Sequence, residues 1–225
     1  MSAATLSSMS WEQRAADRSP SVQRSRARTL AQAKTMLDAA MRLIVTKGED
    51  FTTQDLVKEA GVALQTFYRY FASKDELLLA VIGYAMTAAC ERWEDAGAKL
   101  SDPLARLRFY IESALESRGA QPSDATARFV VSTHWHLNRV FPKELADAEQ
   151  PYVDLLARTI KDAVAGGQLH PADPDWAAWF ISELVRTVYH DYVYSEKPTD
   201  PMKEQLWQFC LRALGAADGD RRRSR

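Results

Sequence analysis

The side chains best suited to contacting a partner molecule are concentrated between Gln65 and Lys74. A Gln can make two hydrogen bonds to the edge of an adenine, and Thr66 can bind a phosphate or contact a thymine methyl group. The hydroxyls of Tyr68 and Tyr70 and the ammonium of Lys74 suit phosphate oxygens. This combination indicates a segment that reads DNA, so double-stranded DNA is the first partner to consider.

Two histidine-containing pairs have residue types used in catalysis or metal binding, but their spacing is unsuitable. His134 and His136 would point about 200° apart on a helix, so that one ion cannot bind both. His190 and Asp191 are adjacent and diverge in the same way. The chain also has no Ser or Cys nucleophile motif and no glycine loop that would surround a phosphate. We therefore expect no enzyme, no metal site and no cofactor.

The elements that would position the Gln65–Lys74 side chains are all predicted to be helices. Apolar residues recur at helical spacing from Thr29 to Lys47, and Gly48 ends that helix. Two stretches have the spacing of capping boxes, Thr52–Asp55 and Ser73–Glu76. Helices are further predicted at about 53–60, 62–71, 74–93, 103–118, 123–141, 143–166, 174–196 and 201–214. No segment alternates as a strand would, so the predicted fold is all-α.

The segment around Gly61 is typical of a helix-turn-helix. The glycine gives the turn its backbone freedom, and the helix before it would brace the helix after it. Phe67 and Phe71 are four residues apart and would face inward together. The alternative is that residues 67–71 form a buried aromatic cluster in a helical bundle. That alternative requires several hydroxyls and a charge to be buried, which is costly unless each finds a partner.

Composition and charge are compatible with a globular protein whose first third alone meets phosphate. The 225-residue chain has a net charge of −1, but residues 1–75 hold 11 Lys and Arg against 8 Asp and Glu. Residues 76–217 hold 14 against 20. Residues 1–27 are predicted to be a flexible basic arm, which is either a solvated tail or a segment that reaches DNA. Its arginines, with the one that follows it, are Arg14, Arg18, Arg24, Arg26 and Arg28.

Three features of the sequence predict a cytoplasmic location. No run of 18 apolar residues could span a membrane, and the N-terminus lacks the apolar region of a signal peptide. The two cysteines, Cys90 and Cys210, are far apart within helical patterns, so we expect buried free thiols rather than a disulfide.

The residues from about 29 to 85 resemble the N-terminal domain of TetR-family transcriptional regulators. The resemblance is carried by Gly61-Val62, by the run from Thr66 to Phe71 and by Ser73-Lys74 followed by Asp-Glu-Leu. It implies a three-helix DNA-binding domain at 28–75, an effector-binding and dimerisation domain at 76–217 and a disordered tail at 218–225. It also implies DNA contacts by Thr53, Gln54, Leu64, Gln65, Thr66, Tyr68, Arg69, Tyr70 and Lys74, with Lys74 as a phosphate clamp.

The chain departs from the family pattern at two positions of the recognition helix. Tyr70 stands where a His is common, and Leu64 stands where a polar residue is common. These departures bear on the operator sequence rather than on the activity.

The resemblance further implies a homodimer formed through the last two helices and a small-molecule effector in the body. The segment from Trp176 to Tyr194 is apolar nearly all round, so it must be covered on more than one side. The alternative is that both helices complete the subunit's own core. Residues with the composition of a ligand cavity are Phe109, Tyr110, Phe129, His134, Trp135, Trp176, Phe180, Glu183 and His190. Plain core packing is the alternative for each of them.

Taken together, these features predict a homodimeric transcriptional regulator, a repressor that a small apolar or aromatic effector releases from a palindromic operator. Two alternatives remain open at this stage. One is a constitutive dimeric DNA-binding protein without an effector, and the other is an effector-dependent activator.

Overall fold

In the computed structural model, residues 11, 19–116, 125–194 and 199–216 are described, and in these ranges every regular element is a helix. The predicted all-α fold is therefore confirmed. The elements in chain order are α1 (Pro20–Lys47), a 3-10 turn (Gly48–Asp50), α2 (Thr53–Ala60), α3 (Leu64–Tyr70), α4 (Lys74–Gly97), α5 (Pro103–Glu116), α6 (Ala125–Val140), α7 (Pro142–Ala165), α8 (Pro174–Tyr194) and α9 (Thr199–Ala213).

Helix α1 begins nine residues earlier than the sequence predicts. Residues 20–27, assigned above to a flexible arm, form its first turns, with Pro20 in the first-turn position that suits its fixed φ. The prediction missed these turns because it relied on apolar periodicity, and they are exposed, so they need no apolar stripe. Of the remaining arm, residues 1–10 and 12–18 lie outside the described residues, as does the predicted tail at 218–225.

The helix-turn-helix has the capping and turn chemistry that its sequence predicts. The Thr52 hydroxyl accepts a hydrogen bond from the Asp55 backbone N–H at 3.1 Å, and the Asp55 carboxylate accepts one from the Thr52 N–H at 2.9 Å. Gly61 ends α2 in the left-handed region at φ 65°, where a glycine is favoured. Helix α3 is shorter than predicted because the Val62 N–H still bonds back to the Val57 carbonyl and Ala63 is extended.

The predicted capping box of α4 is present in altered form. The Ser73 hydroxyl accepts a hydrogen bond from the Glu76 backbone N–H at 3.1 Å, as expected. The Glu76 carboxylate accepts from the backbone N–H of Ala72 at 2.8 Å rather than from that of Ser73. The start of α4 is thus fixed by two hydrogen bonds, so that Lys74 has a defined position at its first residue.

The buried side chains form two hydrophobic clusters, one in the head (α1–α3 with the start of α4) and one in the body. The head cluster also contains residues from later in the chain, Phe129 and Leu137 of α6 and Leu145 of α7. The body cluster is built by α4 to α9 and surrounds the fully buried Trp207. Helix α6 therefore belongs to both clusters, since Val131 packs in the body and Phe129 in the head.

Two further predictions of the sequence can be compared with the described helices. Cys90 and Cys210 are buried and form no disulfide, as expected, and burial raises the pKa of the Cys210 thiol to about 12. None of the helices in the described ranges has both the length and the apolar character needed to cross a bilayer.

Candidate nucleic-acid interface and ligand cavity

Helix α3 is held against the head by one side and leaves the other side open. Phe67 is 1% exposed, and its ring packs at 5.8 Å from the ring of Phe71, which is also buried. Leu56 and Val57 of α2 are buried in the same cluster and brace it. The aromatic pair predicted to face inward does so, which orients Leu64, Gln65, Tyr68 and Arg69 outward.

The outward side of α3 carries side chains that can contact bases and phosphates. Tyr68 is 55% exposed although it is a large aromatic residue, and its ring is supported edge to face by Phe67 at 5.1 Å. Leu64, Gln65 and Arg69 are exposed, and Thr66 is half-buried. A rigid helix that exposes an amide, a phenol and a guanidinium next to a bracing helix has the geometry for entering a major groove.

Arg69 and Tyr70 have a partner within the head that the sequence did not indicate. The Tyr70 hydroxyl donates to the Gln32 side-chain oxygen at 2.8 Å, and the Arg69 guanidinium donates to the same oxygen at 3.4 Å. Tyr70 is half-buried as a result. Its hydroxyl therefore helps to fix α3 on α1, and it can contact DNA only with its remaining lone pairs.

Lys74 lies at the first residue of α4 with its ammonium against Phe51. The Nζ atom donates to the Phe51 carbonyl oxygen at 2.6 Å and lies 4.0 Å from the centre of the Phe51 ring. Both contacts favour a cation at this point. The charge is thus held at the edge of the head, where a phosphate could approach, and it also stabilises the packing of Phe51.

The two residues assigned to DNA on α2 lie at its first turn. Thr53 is half-buried and Gln54 is exposed. Backbone N–H groups at a helix start are favourable for a phosphate, and a Thr hydroxyl there can add a further hydrogen bond. All the residues assigned to DNA thus lie on α2, on α3 or at the start of α4.

A cavity of about 450 Å³ lies where the head meets the body. Its walls come from α1, α4 and α6, with a single residue from α7. The lining is mainly aliphatic, and the polar groups that reach it include Arg92, Thr126, Thr133, His134 and Glu149. Its volume falls within the range of about 300–1,000 Å³ that is usual for small-molecule sites.

One end of the cavity borders a buried polar cluster centred on Glu149 of α7. The His134 Nε2 atom lies 3.0 Å from one Glu149 oxygen, and the Arg186 guanidinium donates to the other at 2.7 Å. Arg186 also pairs with Glu183 on its own helix. Because the Glu149 carboxylate is mostly buried, its two partners are needed to compensate for its desolvation. The cluster joins α6, α7 and α8.

Of the nine residues named above as ligand candidates, Phe129 and His134 line this cavity. Glu183 pairs with Arg186, which in turn donates to the lining residue Glu149, and His190 packs its ring 5.0 Å from that of His134. The other candidates are elsewhere. Phe109 and Tyr110 belong to the α5 side of the body core, Trp135 is exposed on α6, and Trp176 and Phe180 are exposed on α8.

The cavity residues that the sequence did not identify come from α1 and α4. Met41, Ile44 and Val45 of α1 follow the same apolar spacing as the core residues of that helix, so the sequence offered no sign that they border a cavity. Arg92 gave no sign either, since it lies in a charged stretch of α4 with Glu91, Glu94 and Asp95. No carboxylate partner of Arg92 is found among the described residues.

The aromatic residues of α8 that lie outside the cavity form an exposed patch. The rings of Trp176, Trp179 and Phe180 contact one another, with centres 5.2 to 5.8 Å apart. Phe209 of α9 is also exposed. Several large aromatic rings in one exposed patch indicate a surface that another molecule covers.

Comparison with known proteins gives the head a family. The model of the bacterial regulatory proteins of the tetR family matches residues 36–81, which contain α2, α3 and the Lys74 position. The HTH-type transcriptional regulator EthR of Mycolicibacterium smegmatis is 35% identical over 94 residues, which are 41% of this chain and 43% of EthR. The match thus spans less than half the length of that relative.

Solved structures extend the similarity to the whole fold. Thermus thermophilus FadR, a TetR-family repressor solved with lauroyl-CoA, has a TM-score of 0.67 and 18% identity, covering 83% of this chain and 96% of its own. RolR, solved with resorcinol, has a TM-score of 0.62 and 16% identity, covering 86% of this chain and 92% of its own. The helix-turn-helix geometry and the match to the tetR family thus coincide in residues 36–81, so the head is of the tetR-family type, and most of the chain shares the fold of these solved structures.

Proposed function

We propose that this protein is a dimeric transcriptional repressor that a small amphiphilic effector releases from a palindromic operator. The observation that supports this most directly is that one cavity is lined by α1 of the DNA-binding head and by α4 and α6 of the body. A molecule bound there would touch the head itself, so that its binding and DNA binding would be coupled.

On the DNA side, we propose that α3 enters the major groove and that α2 and Lys74 contact the backbone on either side. Gln65 and Tyr68 are the exposed residues with the reach to contact base edges. Thr53, Gln54, Thr66, Arg69 and Lys74 would then contact phosphates and fix the register, and Leu64 would supply an apolar contact. Tyr70, whose hydroxyl donates to Gln32, would hold α3 on α1.

Palindromic operators require two heads at a fixed spacing, which a homodimer provides. We propose that the dimer forms through α8 and α9, whose exposed rings include Trp176, Trp179, Phe180 and Phe209. A two-fold axis would bring the same patch of each subunit together and cover rings that the monomer leaves in water. Four helices would then pack across the interface.

We propose that the effector has a flexible apolar chain and an anionic end. The walls of the cavity are mostly aliphatic side chains such as Leu78, Val81 and Ile82, which suit a chain better than a planar ring. Arg92 lies at the wall and can pair with a carboxylate or a phosphate. The lauroyl-CoA bound by the FadR structure has both parts, whereas resorcinol has neither.

The coupling between effector and operator would pass through the wall that the head and body share. An effector that fills the cavity would press α6 and α4 away from Met41 and Ile44 of α1. Such a shift changes DNA affinity only if the effector binds one spacing of the heads better than the other, typically by about 1–3 kcal/mol. The same geometry would serve an activator if the effector favoured the DNA-binding spacing.

The proposal is tested by first selecting duplexes from a randomised library with the purified dimer. A recovered duplex is then used to measure the dissociation constant with and without lauroyl-CoA, dodecanoate and resorcinol. We expect lauroyl-CoA or dodecanoate to weaken binding about 5- to 150-fold, as in typical allostery, and resorcinol to have little effect. Tighter binding with the effector would identify an activator, and no recovered duplex would refute the DNA-binding role.

The anionic end is tested by Arg92→Gln, which keeps most of the side chain but removes the charge. We expect weaker binding of dodecanoate and unchanged binding of the duplex. The matched control is Arg158→Gln, which removes an exposed cation that pairs with Glu94 on the surface of the body. Equal effects of the two substitutions would exclude a specific role for Arg92.

A further inference from the structure

The first three turns of α1 form an exposed and uniformly basic segment. All residues from Pro20 to Ala31 are exposed, and they include Arg24, Arg26 and Arg28. The sequence contains no Asp or Glu between positions 19 and 37. Within the described ranges, none of these three arginines has a carboxylate partner; the Arg24 Nε donates to the Pro20 carbonyl oxygen at 3.1 Å. Among the described residues, the positive charge of the segment therefore has no partner of opposite sign.

Arg24 and Arg28 lie to one side of the direction in which Gln32 faces the recognition helix, Arg28 about 40° and Arg24 about 80° from it. An α-helix turns by about 100° per residue, so positions four apart lie close to one line along its surface. Arg24, Arg28 and Gln32 have this spacing, and the Gln32 side chain accepts hydrogen bonds from Tyr70 and Arg69 of α3. At about 1.5 Å per residue, Arg28 is about 6 Å and Arg24 about 12 Å along the axis from Gln32.

Arg26 has the same environment but lies on the opposite side of the helix. At 100° per residue it lies about 200° around the helix from Arg24 and from Arg28, and it is exposed as they are. Arg26 is therefore a matched control for Arg24 and Arg28, because it has the same charge and the same exposure but faces another direction.

The helical form of this segment is itself informative. Helical turns that bury no apolar face have little stability of their own. The free-energy cost of nucleating a helix and the fraying of its end are not offset there by packing. A partner that neutralises the arginines on one side would hold these turns in place. The partner must be anionic and must lie beside α3, because that is where the Arg24–Arg28 side points.

We propose that Arg24 and Arg28 form a second phosphate-binding site for operator DNA, which extends the footprint beyond the groove occupied by α3. The guanidinium groups pair with backbone phosphates and do not read bases. The inference rests on the proposed DNA-binding function and adds to it a site outside the helix-turn-helix. Phosphate pairing by two arginines on each subunit strengthens binding to any duplex and leaves the preferred sequence unchanged.

The test is the salt dependence of binding to a duplex that the wild-type protein selects from a randomised library. The logarithm of the association constant falls linearly with the logarithm of the salt concentration, and removing one phosphate-binding cation makes this slope about 0.9 less steep. We expect Arg24→Gln with Arg28→Gln to lower the slope by about that amount per arginine, with the same selected sequence and the same melting temperature. Arg26→Gln is expected to leave the slope unchanged.

The possible results separate the inference from the function on which it rests. If the wild type selects a duplex and the double variant keeps the wild-type slope, the second site is refuted while the DNA-binding function stands. If Arg26→Gln reduces the slope equally, the whole basic segment contributes diffusely, and a site confined to the Arg24–Arg28 side of α1 is refuted. A changed sequence preference in the double variant refutes the phosphate role. If the wild type selects no duplex, both the DNA-binding function and the second phosphate-binding site are refuted.

Discussion

Phe129 of α6 and Phe51 of the head meet edge to face, with ring centres 6.4 Å apart and planes at 81°. Phe129 also lines the cavity, and Phe51 also carries the Lys74 ammonium above its ring. A single aromatic contact therefore lies between the cavity wall and the first residue of α4. Transmission between two sites requires an element with two discrete arrangements, and we propose that this contact, paired here, separates when an effector fills the cavity.

We predict that Phe129→Leu weakens the effect of the effector on DNA binding more than it weakens either binding event. Leu keeps the wall apolar but removes the edge-to-face contact, which is worth about 0.5–1.5 kcal/mol beyond burial. A decrease of about 1 kcal/mol in coupling reduces the effector-induced change in affinity about fivefold. The measurement is the duplex dissociation constant with and without saturating lauroyl-CoA.

The control for this prediction is Thr126→Val, which changes the same cavity wall on the same helix without touching the aromatic pair. We expect it to keep the full effect of the effector at saturation. If Phe129→Leu keeps that effect as well, transmission does not use the Phe51–Phe129 contact.

Lys74→Met is predicted to affect both the stability of the head and the salt dependence of DNA binding. Met preserves the apolar stem but removes the ammonium that contacts the Phe51 ring and carbonyl. A cation–π contact of this kind is worth about 0.5–2 kcal/mol, so the melting temperature should fall. A phosphate contact by Lys74 would add a reduction of about 0.9 in the salt slope for each subunit of the dimer.

The two readouts separate a structural role of Lys74 from a role in DNA binding. Lys143→Met removes an exposed cation of α7 and should change neither the melting temperature nor the slope. A lower melting temperature with an unchanged slope would show that Lys74 only supports the packing of Phe51.

Trp179→Glu is predicted to convert the dimer into monomers and to weaken operator binding. The ring contacts both Trp176 and Phe180 in the exposed patch of α8, and a carboxylate there would be buried without a partner on association. Sedimentation velocity measures the oligomeric state. Trp135→Glu is the matched control, since that Trp is similarly exposed but lies on α6. A Trp179→Glu protein that remains dimeric would place the interface elsewhere.

The helix-turn-helix could be predicted from sequence because each of its boundaries depends on local chemistry. The Thr52–Asp55 capping box and the left-handed Gly61 act within a few residues, so their spacing is visible in the chain itself. The start of α1 was missed because it lacks such local signals. Exposed turns that lack an apolar stripe leave little local pattern, and the sequence suggested an arm instead.

The cavity could not be predicted because burial and cavity lining have the same sequence pattern. Val81 and Ile82 of α4 and Ile44 of α1 have the spacing of core residues, and only the distance between the helices decides whether a space remains between them. Aromatic content pointed instead to Trp176 and Phe180, which α8 presents outward. Apolar periodicity does not show which side of such a helix packs within its own subunit, because that depends on the tertiary structure.

Asp55 is predicted to make the stability of the head depend on pH in acid. The hydrogen bond from Lys47, aided by those from the Thr52 backbone and hydroxyl, lowers the pKa of the Asp55 carboxyl from 3.8 to about 2. A pKa that is lower in the folded state means that the contribution is fully present above about pH 4 and is lost as the pH falls toward 2. We expect the difference in unfolding free energy between wild type and Asp55→Asn to shrink steadily over that interval.

The measurement is urea unfolding of the two proteins at a series of pH values from 5 downward, with Asp147→Asn as a control for an exposed carboxylate of α7. The Asn side chain can still accept the hydrogen bond from the Thr52 N–H, so the capping geometry is kept while the ion pair with Lys47, at 2.6 Å, is removed. The Asp147→Asn protein shows how much the same substitution at an exposed position changes the unfolding free energy. Parallel curves for wild type and Asp55→Asn would show that the ionised carboxylate contributes nothing to α2, and that the Thr52 cap alone holds its start.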